Sequence, residues 1–260
     1  MSAQTLTDKK RWEWLEAKAY TAIIGDFDPP SFFAEVMAEA APIEPGKTRL
    51  LDIGCGCGII GIYCLIKRKA NFVTFDDIQS KAIAVTFANL DWHIQQGNIQ
   101  ESQVASLKAG FADIPASVVA QHDLIAFNPP QLPWNYVTPE YRKEIEASSH
   151  QRIFRDGGSR GDGLQFVEKF LEWYGRLGSP KPNAVIVLSS FLGKSLIEST
   201  IAQHKLEWEL LQEPKRVPLR QILAQSAEGF TEAERNERSL RRAADGKWTK
   251  ELLAILLCDR

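Results

Sequence analysis

The sequence predicts a doubly wound α/β fold, in which parallel strands alternate with helices that cover both faces of one sheet. Three observations carry this prediction. Short apolar runs alternate with segments of helical periodicity along most of the chain, and a glycine-rich turn at residues 54–58 joins the first such run to the first such helix. Polar residues directly follow several of the runs, at the strand ends where sheets of this kind bind ligands.

Each element is predicted from an apolar run or a helical period bounded by turn residues. The predicted strands are residues 49–53, 71–76, a weaker strand within 103–108, 123–127, 183–190, 206–211 and 251–258. The predicted helices are residues 59–69, 79–91, 163–177 and 194–204. Because crossovers between parallel strands are right-handed, this order leaves the doubly wound sheet as the simplest topology.

The first 45 residues are predicted to form an N-terminal helical cap, and residues 46–260 a catalytic domain. Residues 26–30, Asp-Phe-Asp-Pro-Pro, form a predicted turn. Its last residue, Pro30, can also lie in the first turn of a helix that reaches about residue 41. The cap is unusually aromatic, and two interpretations stay open. It is either an extension packed on the core or a lid whose aromatic side chains, among them Tyr20 and Phe27, face a substrate pocket.

Composition and charge bound the function. The chain has 260 residues and a formal net charge of −2, and no strongly basic balance of the kind that nucleic-acid binders carry. Arg238, Arg241 and Arg242 form a local basic cluster, but glutamates surround it, so we interpret it as a solvated helix face. These observations predict a small-molecule partner and no nucleic acid.

The cysteines and the hydropathy predict a cytoplasmic location. The four cysteines include no Cys-x-x-Cys pair, which indicates a reducing compartment rather than a disulfide framework. The four histidines are scattered, and we predict no metal site. Neither a signal peptide nor an apolar run long enough to span a membrane is evident.

The glycine-rich turn has the features of a binding loop for a charged ligand. Glycines let the backbone turn tightly and approach a ligand, and the start of the following helix offers free N–H groups. Asp52 precedes the first glycine. Its carboxylate can pair with an ammonium group, which a nicotinamide dinucleotide lacks, so the loop favours a ligand that carries an amine.

This stretch resembles motif I of class I methyltransferases that use S-adenosylmethionine (SAM). Asp77 follows the second strand, with Ala82 and Asn89 at the family's spacing after it. The resemblance implies a Rossmann-like SAM methyltransferase fold with a mostly parallel sheet and an antiparallel last strand. It also implies that Asp77 holds the ribose hydroxyls, whereas Asp76 is the rival and would otherwise cap the next helix. The implied cofactor-binding residues are Asp52, Gly54, Cys55, Gly56, Gly58, Asp77, Phe111 and Asn128.

Residues 128–131, Asn-Pro-Pro-Gln, follow a buried strand abruptly. Prolines lack an N–H, so their carbonyls stay available as acceptors, and Asn128 adds an amide oxygen. Two such acceptors can hold an amino group with its lone pair aimed at an electrophile. The alternative is a turn that only ends the strand.

The corner resembles the Asn-Pro-Pro-aromatic motif of amino-group methyltransferases, which include release factor glutamine methyltransferases. The resemblance makes Asn128, Pro129 and Gln131 the predicted catalytic group. Gln131 stands where those enzymes have an aromatic ring, and Trp134, Tyr136 or an aromatic residue of the cap would have to replace it. Trp134 and Ser190 complete the predicted substrate pocket, where Ser190 is alternatively a helix cap.

The leading hypothesis is an enzyme that methylates an amine, amide or other soft nucleophile of a small molecule with SAM as cofactor. A second hypothesis is a non-methylating enzyme that cyclises SAM to azetidine-2-carboxylate and releases methylthioadenosine. A third is a protein or RNA N-methyltransferase, for which the cluster at Arg238–Arg242 would be the footprint. A fourth is a scaffold that binds SAM without turnover.

Overall fold

The computed structural model describes residues 32–140, 142–143, 161–219 and 221–258. They fall into two units. The first contains the described residues up to Asn128 together with 178–186 and 258, and the second contains those of 129–177 and 187–257. Most of the predicted cap, including Tyr20, Phe27 and the turn at 26–30, lies outside the described residues, so its assignment stays a proposal.

Five parallel strands form the sheet of the first unit, in the order β3-β2-β1-β4-β5. The elements are α1 (Phe32–Ala40), β1 (Arg49–Ile53), α2 (Ile59–Ile66), β2 (Phe72–Asp76), α3 (Ser80–Gln95), β3 (Val104–Leu107), α4 (Ala116–Val119), β4 (Leu124–Phe127) and the start of β5 (Asn183–Ser189). The chain winds outward from β1 to β3 and then crosses to β4 and β5. This order confirms the doubly wound fold and puts the switch point between β1 and β4.

Burial on both faces explains why the strands of the first unit are so apolar. In β1 all residues but the first are buried, and Leu51 pairs with Thr74 on one side and Ile125 on the other. Gly61 lets α2 lie close on the sheet, because a Cβ atom there would be 2.4 Å from the Phe75 ring. The glycine-rich turn is therefore held at the carboxyl end of the central strand.

The second unit is built around a long last strand. Its elements are α5 (Gln165–Arg176), the end of β5, α6 (Lys194–Gln203), β6 (Glu207–Leu210), β7 (Lys215–Pro218), α7 (Gln221–Gly229), α8 (Glu232–Glu237), β8 (Arg241–Arg242) and β9 (Trp248–Cys258). β9 runs antiparallel to β7, where Val217 pairs with Lys250, and to β8, where Arg242 pairs with Trp248. The predicted antiparallel last strand is confirmed and begins at 248 rather than 251.

An apolar cluster forms part of the core of the second unit. Its buried members are Leu132, Val137, Phe191, Leu219, Leu223, Ala227, Phe230, Leu240 and Trp248. A short 3-10 helix, Trp134–Tyr136, packs against this cluster, so the chain just after residue 131 is fixed on a hydrophobic base. Within the described ranges, no helix combines the length and the apolar character that a membrane crossing requires.

Candidate active site

The glycine-rich turn takes a conformation that favours glycine at three positions. Gly54, Gly56 and Gly58 have φ angles of +64°, +59° and +80°, in the left-handed region. The turn is fastened by its own backbone, because the Cys55 N–H donates to the Asp76 carbonyl at 2.9 Å. The Cys55 side chain is buried, and that burial raises the pKa of its thiol.

Two side chains of α3 donate hydrogen bonds to backbone carbonyls of the glycine-rich turn. The Thr86 hydroxyl donates to the Gly56 carbonyl at 3.0 Å, and the Asn89 amide donates to the Cys57 carbonyl at 2.9 Å. They lie three residues apart and so share one helix face. Thr86 also fills the space beside Gly58, where a Cβ atom would be 2.7 Å from the threonine methyl carbon.

Asp52, at the end of β1, is buried with half of its carboxylate unsatisfied. One oxygen accepts the Gly61 N–H at 3.0 Å, in the first turn of α2. The other oxygen, Oδ1, has no hydrogen-bond partner among the described residues. Burial raises the pKa of Asp52 to about 7, and the nearby carboxylates of Asp77 and Asp76 add to the rise. An orphaned buried oxygen beside a glycine turn fits a ligand that brings a cationic donor.

Asp76 and Asp77 differ in their contacts. Both oxygens of Asp77 accept backbone N–H groups, one from Gly56 at 3.1 Å and one from Gln79 at 2.8 Å. Asp76 instead accepts the Ala109 N–H at 3.0 Å, in the segment after β3. Burial raises the pKa of Asp77, and it raises the pKa of Asp76 to about 7. The alternative role of Asp76 as a cap of α3 is wrong, because the N-cap residue of α3 is Gln79 and it makes no side-chain capping bond; Asp77 only accepts the Gln79 N–H just before the helix begins.

Apolar side chains lie next to these carboxylates. Ile78 is 62% exposed, which is unusual for a large aliphatic residue. Phe111 packs edge-on against Phe127 at 5.7 Å between ring centroids, and a Cβ atom on Gly54 would lie 3.9 Å from the Phe127 ring. Phe111 therefore lies against the ring that borders Gly54, and its role as a base-binding group stays a prediction. Ile78 was not predicted; its signal is an apolar residue directly after the acidic pair.

The Asn-Pro-Pro-Gln corner follows β4, all four residues of which are buried. Asn128 is half-buried there. The Gln131 amide nitrogen donates to the Val187 carbonyl at 2.6 Å, and its oxygen accepts the Ser189 N–H at 2.7 Å. Because both ends of its amide are bound to backbone, Gln131 holds the corner in place, and we do not retain it as a catalytic group.

The two aromatic residues near the corner have different surroundings. Tyr136 packs against Phe230 at 5.1 Å between centroids, and its hydroxyl accepts a hydrogen bond from Arg238 at 3.1 Å. The ring and the hydroxyl of Tyr136 are thus both engaged by side chains of the second unit, which makes Tyr136 the weaker candidate for the place of the missing aromatic. Trp134 is half-buried, with the Arg142 guanidinium 5.6 Å from its ring, and stays the candidate.

The Ser190 hydroxyl, predicted for the substrate pocket, is buried and fully used within the second unit. It donates to the Arg238 carbonyl at 2.6 Å and accepts the Glu251 N–H at 3.0 Å. The alternative role of Ser190 as a helix cap is also wrong. The residue that caps the short 3-10 helix is Ser189, whose side chain accepts the Phe191 N–H. We therefore do not propose Ser190 for substrate binding.

The arginine cluster at 238–242 is not a uniform solvated face. The Arg238 guanidinium lies 5.0 Å from the Phe230 ring, and Arg242 forms an ion pair with Glu228 at 2.6 Å. Arg241 bonds to the Asn236 side chain at 2.9 Å. Since these arginines have partners inside the unit, the cluster gives no support to a nucleic-acid footprint.

Comparison with known proteins finds relatives of this chain. The family model of the methyltransferase small domain matches residues 28–159, about half of the chain. A release factor glutamine methyltransferase of Chlorobaculum tepidum is 32% identical over 97 residues, which are 36% of this chain and 32% of that protein. One of Bacillus subtilis is 28% identical over 138 residues, 50% of this chain and 41% of that protein. In both comparisons the match spans less than half of the relative's length.

A structural comparison supports the fold alone. A putative RNA methyltransferase of Pyrococcus horikoshii has a TM-score of 0.51 with this chain, at 11% identity and over 98% of both chains. The names of the two curated relatives, in contrast, give a protein substrate, since both are called release factor glutamine methyltransferases. Their names contradict the prediction of a small-molecule partner, which rested on the net charge and on the lack of a recognisable nucleic-acid module. The match over half of its length shows that the chain belongs to the methyltransferase small domain family, within the SAM-dependent methyltransferase superfamily.

Proposed function

We propose that this protein transfers the methyl group of SAM to the side-chain amide nitrogen of a glutamine in a protein. The observation that carries the proposal is the Asn-Pro-Pro corner directly after the buried strand β4, in a chain related to two release factor glutamine methyltransferases. A primary amide has two N–H groups. The Asn128 side-chain oxygen and the Pro129 carbonyl are two acceptors that suit them.

The first unit has groups that fit each part of SAM. Asp52 would receive the ammonium group with its orphan oxygen. Asp77 keeps free lone pairs on both oxygens after its two backbone contacts, and these suit the ribose hydroxyls. Ile78 and Phe111 offer apolar surface for the adenine. When bound, SAM supplies an electrophilic methyl group on a sulfonium.

The corner would act by positioning the acceptor. An amide nitrogen is a weak nucleophile because its lone pair is delocalised into the carbonyl. Hydrogen bonds from both N–H groups to Asn128 and Pro129 raise the electron density on that nitrogen and fix its orientation. Orientation of reacting groups supplies a large part of enzymatic rate enhancement. On transfer, the bond between the nitrogen and the methyl carbon would form as the bond from that carbon to the sulfonium breaks. S-adenosylhomocysteine would leave, and the nitrogen would give up one N–H proton to solvent.

The test is methyl transfer to purified release factors of Bacillus subtilis and Chlorobaculum tepidum, with SAM labelled in its methyl group. We expect label in the protein and a mass gain of one methylene unit on a single glutamine, located by peptide mass spectrometry. A release factor in which that glutamine is replaced by asparagine is the matched control and should stay unlabelled. Label on free glutamine but on no protein would contradict the proposal.

Asn128→Ala tests the corner itself. We expect turnover to fall about 100-fold, because one of the two acceptors that orient the amide is lost. The Kd for SAM should change much less, since the alanine variant leaves the glycine turn and Asp77 intact. Initial rates and calorimetry measure the two quantities separately. Full turnover in the variant would leave the corner with a structural role only.

A further inference from the structure

The Gln131 side chain forms two hydrogen bonds to the backbone of β5, as the backbone of a neighbouring strand would. Within β5, the Val187 carbonyl and the Ser189 N–H lie two residues apart and face the same edge. The carboxamide presents a donor and an acceptor in one plane. It donates to the first group at 2.6 Å and accepts from the second at 2.7 Å.

Both residues that Gln131 holds are buried. Val187 is 0% exposed and Ser189 is 2% exposed, so water is a poor substitute partner for their backbone groups. A side chain that only donates or only accepts would satisfy one of the two groups and oppose the other. A glutamine is therefore well matched to this edge, and an aromatic ring could not replace either bond.

The same amide also reaches back to the corner. Its nitrogen lies 3.4 Å from the Pro129 carbonyl, which takes the second N–H of the amide. Pro129 is buried, and its carbonyl is one of the two acceptors in the proposed function. One planar group thus connects that carbonyl to the end of β5, while the carbonyl keeps a second lone pair for the acceptor.

We propose that Gln131 is a positioning residue, whose carboxamide fixes the Pro129 carbonyl against the end of β5 so that it can orient the acceptor nitrogen. The inference rests on the proposed function and deepens it. It also accounts for the missing aromatic ring, because in this chain the position is committed to the backbone and not to the face of the acceptor.

Gln131→Glu and Gln131→Met separate this role from general stability. At pH 8 the carboxylate of the Glu variant cannot donate to the Val187 or Pro129 carbonyl, and we expect kcat on a release factor to fall about 10- to 100-fold with KM for SAM nearly unchanged. At lower pH the protonated Glu donates again, so its rate relative to wild type should recover. The Met variant should be as slow but without recovery.

Each rate is divided by that of the wild type at the same pH, because Asp52 and Asp76 titrate in all variants. Gln203→Glu, at an exposed position on α6, is the matched control and should keep wild-type kcat. Circular dichroism at the assay temperature gives the folded fraction. A Glu variant with wild-type kcat at pH 8, or losses that only follow the folded fraction, would overturn the proposal.

Amide hydrogen exchange at Ser189 tests the contact without any acceptor. We expect faster exchange of the Ser189 N–H in Gln131→Met than in the wild type, with exchange in β1 unchanged. Equal exchange at Ser189 would overturn the proposal. Because this measurement needs no methyl transfer, a failure to methylate release factors would reject the proposed function and leave the role of Gln131 to be decided by exchange.

Discussion

Three carboxylates of the first unit lie near one glycine turn, and each has different hydrogen-bond partners. Asp76 is tied to the segment after β3, Asp52 has a free buried oxygen, and Asp77 binds the turn through the Gly56 N–H. We propose Asp52 and Asp77 for SAM, because Asp52 keeps an unsatisfied buried oxygen and Asp77 is bound to the turn itself.

Replacing Asp77 with asparagine should weaken SAM binding about tenfold or more, because hydrogen bonds that the O–H groups of a diol donate to a charged carboxylate are among the stronger ones. The amide nitrogen of the substituted side chain would also face a backbone N–H group. Calorimetry with SAM measures the change in Kd. Asp91→Asn, at an exposed position on α3, is the control and should bind as the wild type does. Equal Kd values for all three proteins would remove Asp77 from the site.

The raised pKa values of Asp52 and Asp76 make stability depend on pH. Both groups keep a proton in the folded protein up to about pH 7, whereas the unfolded chain loses it near 3.8. The folded state then binds more protons between these values, so the free energy of unfolding should fall as pH rises from 4 to 7. The slope is at most about 1.4 kcal/mol per pH unit for one group.

Urea unfolding across that pH range, without SAM, measures the slope. Asp52→Asn should make it shallower, because one of the two titrating groups is gone. Asp91→Asn, exposed on α3, should leave the slope unchanged. An unaltered slope in the Asp52 variant would mean that this carboxyl is already ionised in the folded protein at low pH.

The order of motifs along the sequence makes Asp52 and Asp77 candidates, because each stands at or directly after the end of a strand, and it makes Phe111 a candidate from the segment after the third strand. It could not identify the contacts of Gln131 or Ser190. Gln131 bonds to a carbonyl 56 residues away, and Ser190 bonds to one 48 residues away. No local pattern encodes such pairs, and they depend on how distant segments pack.

At the scale of elements, the glycine turn packs closely against α3 and is hydrogen-bonded to it. Gly58→Ala should lower the free energy of unfolding by more than the backbone strain alone, because the new Cβ atom would lie 2.7 Å from the Thr86 methyl carbon. Gly46→Ala measures that strain, since Gly46 has a similar φ of +73° and nothing within 4 Å of the added atom. We expect about 1–2 kcal/mol for Gly46→Ala and about 1–3 kcal/mol more for Gly58→Ala.

Urea unfolding of the two variants decides between strain and crowding. Adding Thr86→Ser to Gly58→Ala removes the crowding methyl and keeps the hydroxyl that bonds to Gly56. That double variant should recover most of the difference between the two alanine variants. If Gly46→Ala and Gly58→Ala cost the same, the close contact between the turn and α3 would be contradicted.

Sequence reasoning found the strands and the longer helices of the first unit, missed its four-residue helix α4, and missed several elements of the second unit. β1 is predicted at its observed residues because it is buried on both faces and reads as a continuous apolar run. β7 and β8 have four and two residues, and α8 has six with none buried. Elements this short have too few residues to show a period, and pairing with β9 defines the two strands.

At the scale of the whole molecule, composition was a poor guide to the partner. A net charge of −2 argues against strong nonspecific attraction to nucleic acid, but it says little about whether the acceptor is a metabolite or a protein side chain. In the proposed function, a few atoms at one corner hold the acceptor, and those atoms would suit an amide of any size. Relatives named for a protein substrate therefore corrected what bulk properties had suggested.

With SAM as the only substrate, we expect this protein to release no methylthioadenosine above the uncatalysed rate, and to form S-adenosylhomocysteine only when a protein acceptor is added. Cyclisation of SAM needs the lone pair of its own amine. A buried Asp52 carboxylate with an orphan oxygen stabilises the protonated ammonium, which has no lone pair to attack with. Chromatography of the nucleoside products at pH 8, where Asp52 is ionised, distinguishes the two reactions.

Asp52→Asn is the matched variant for that experiment, because a neutral amide no longer favours the charged form of the amine. If holding the ammonium suppresses the intramolecular reaction, methylthioadenosine should appear in this variant first, while the wild type and Asp91→Asn stay free of it. Methylthioadenosine from the wild type with SAM alone would contradict both the pairing of Asp52 with the ammonium and the transfer of the methyl group as the reaction of this site.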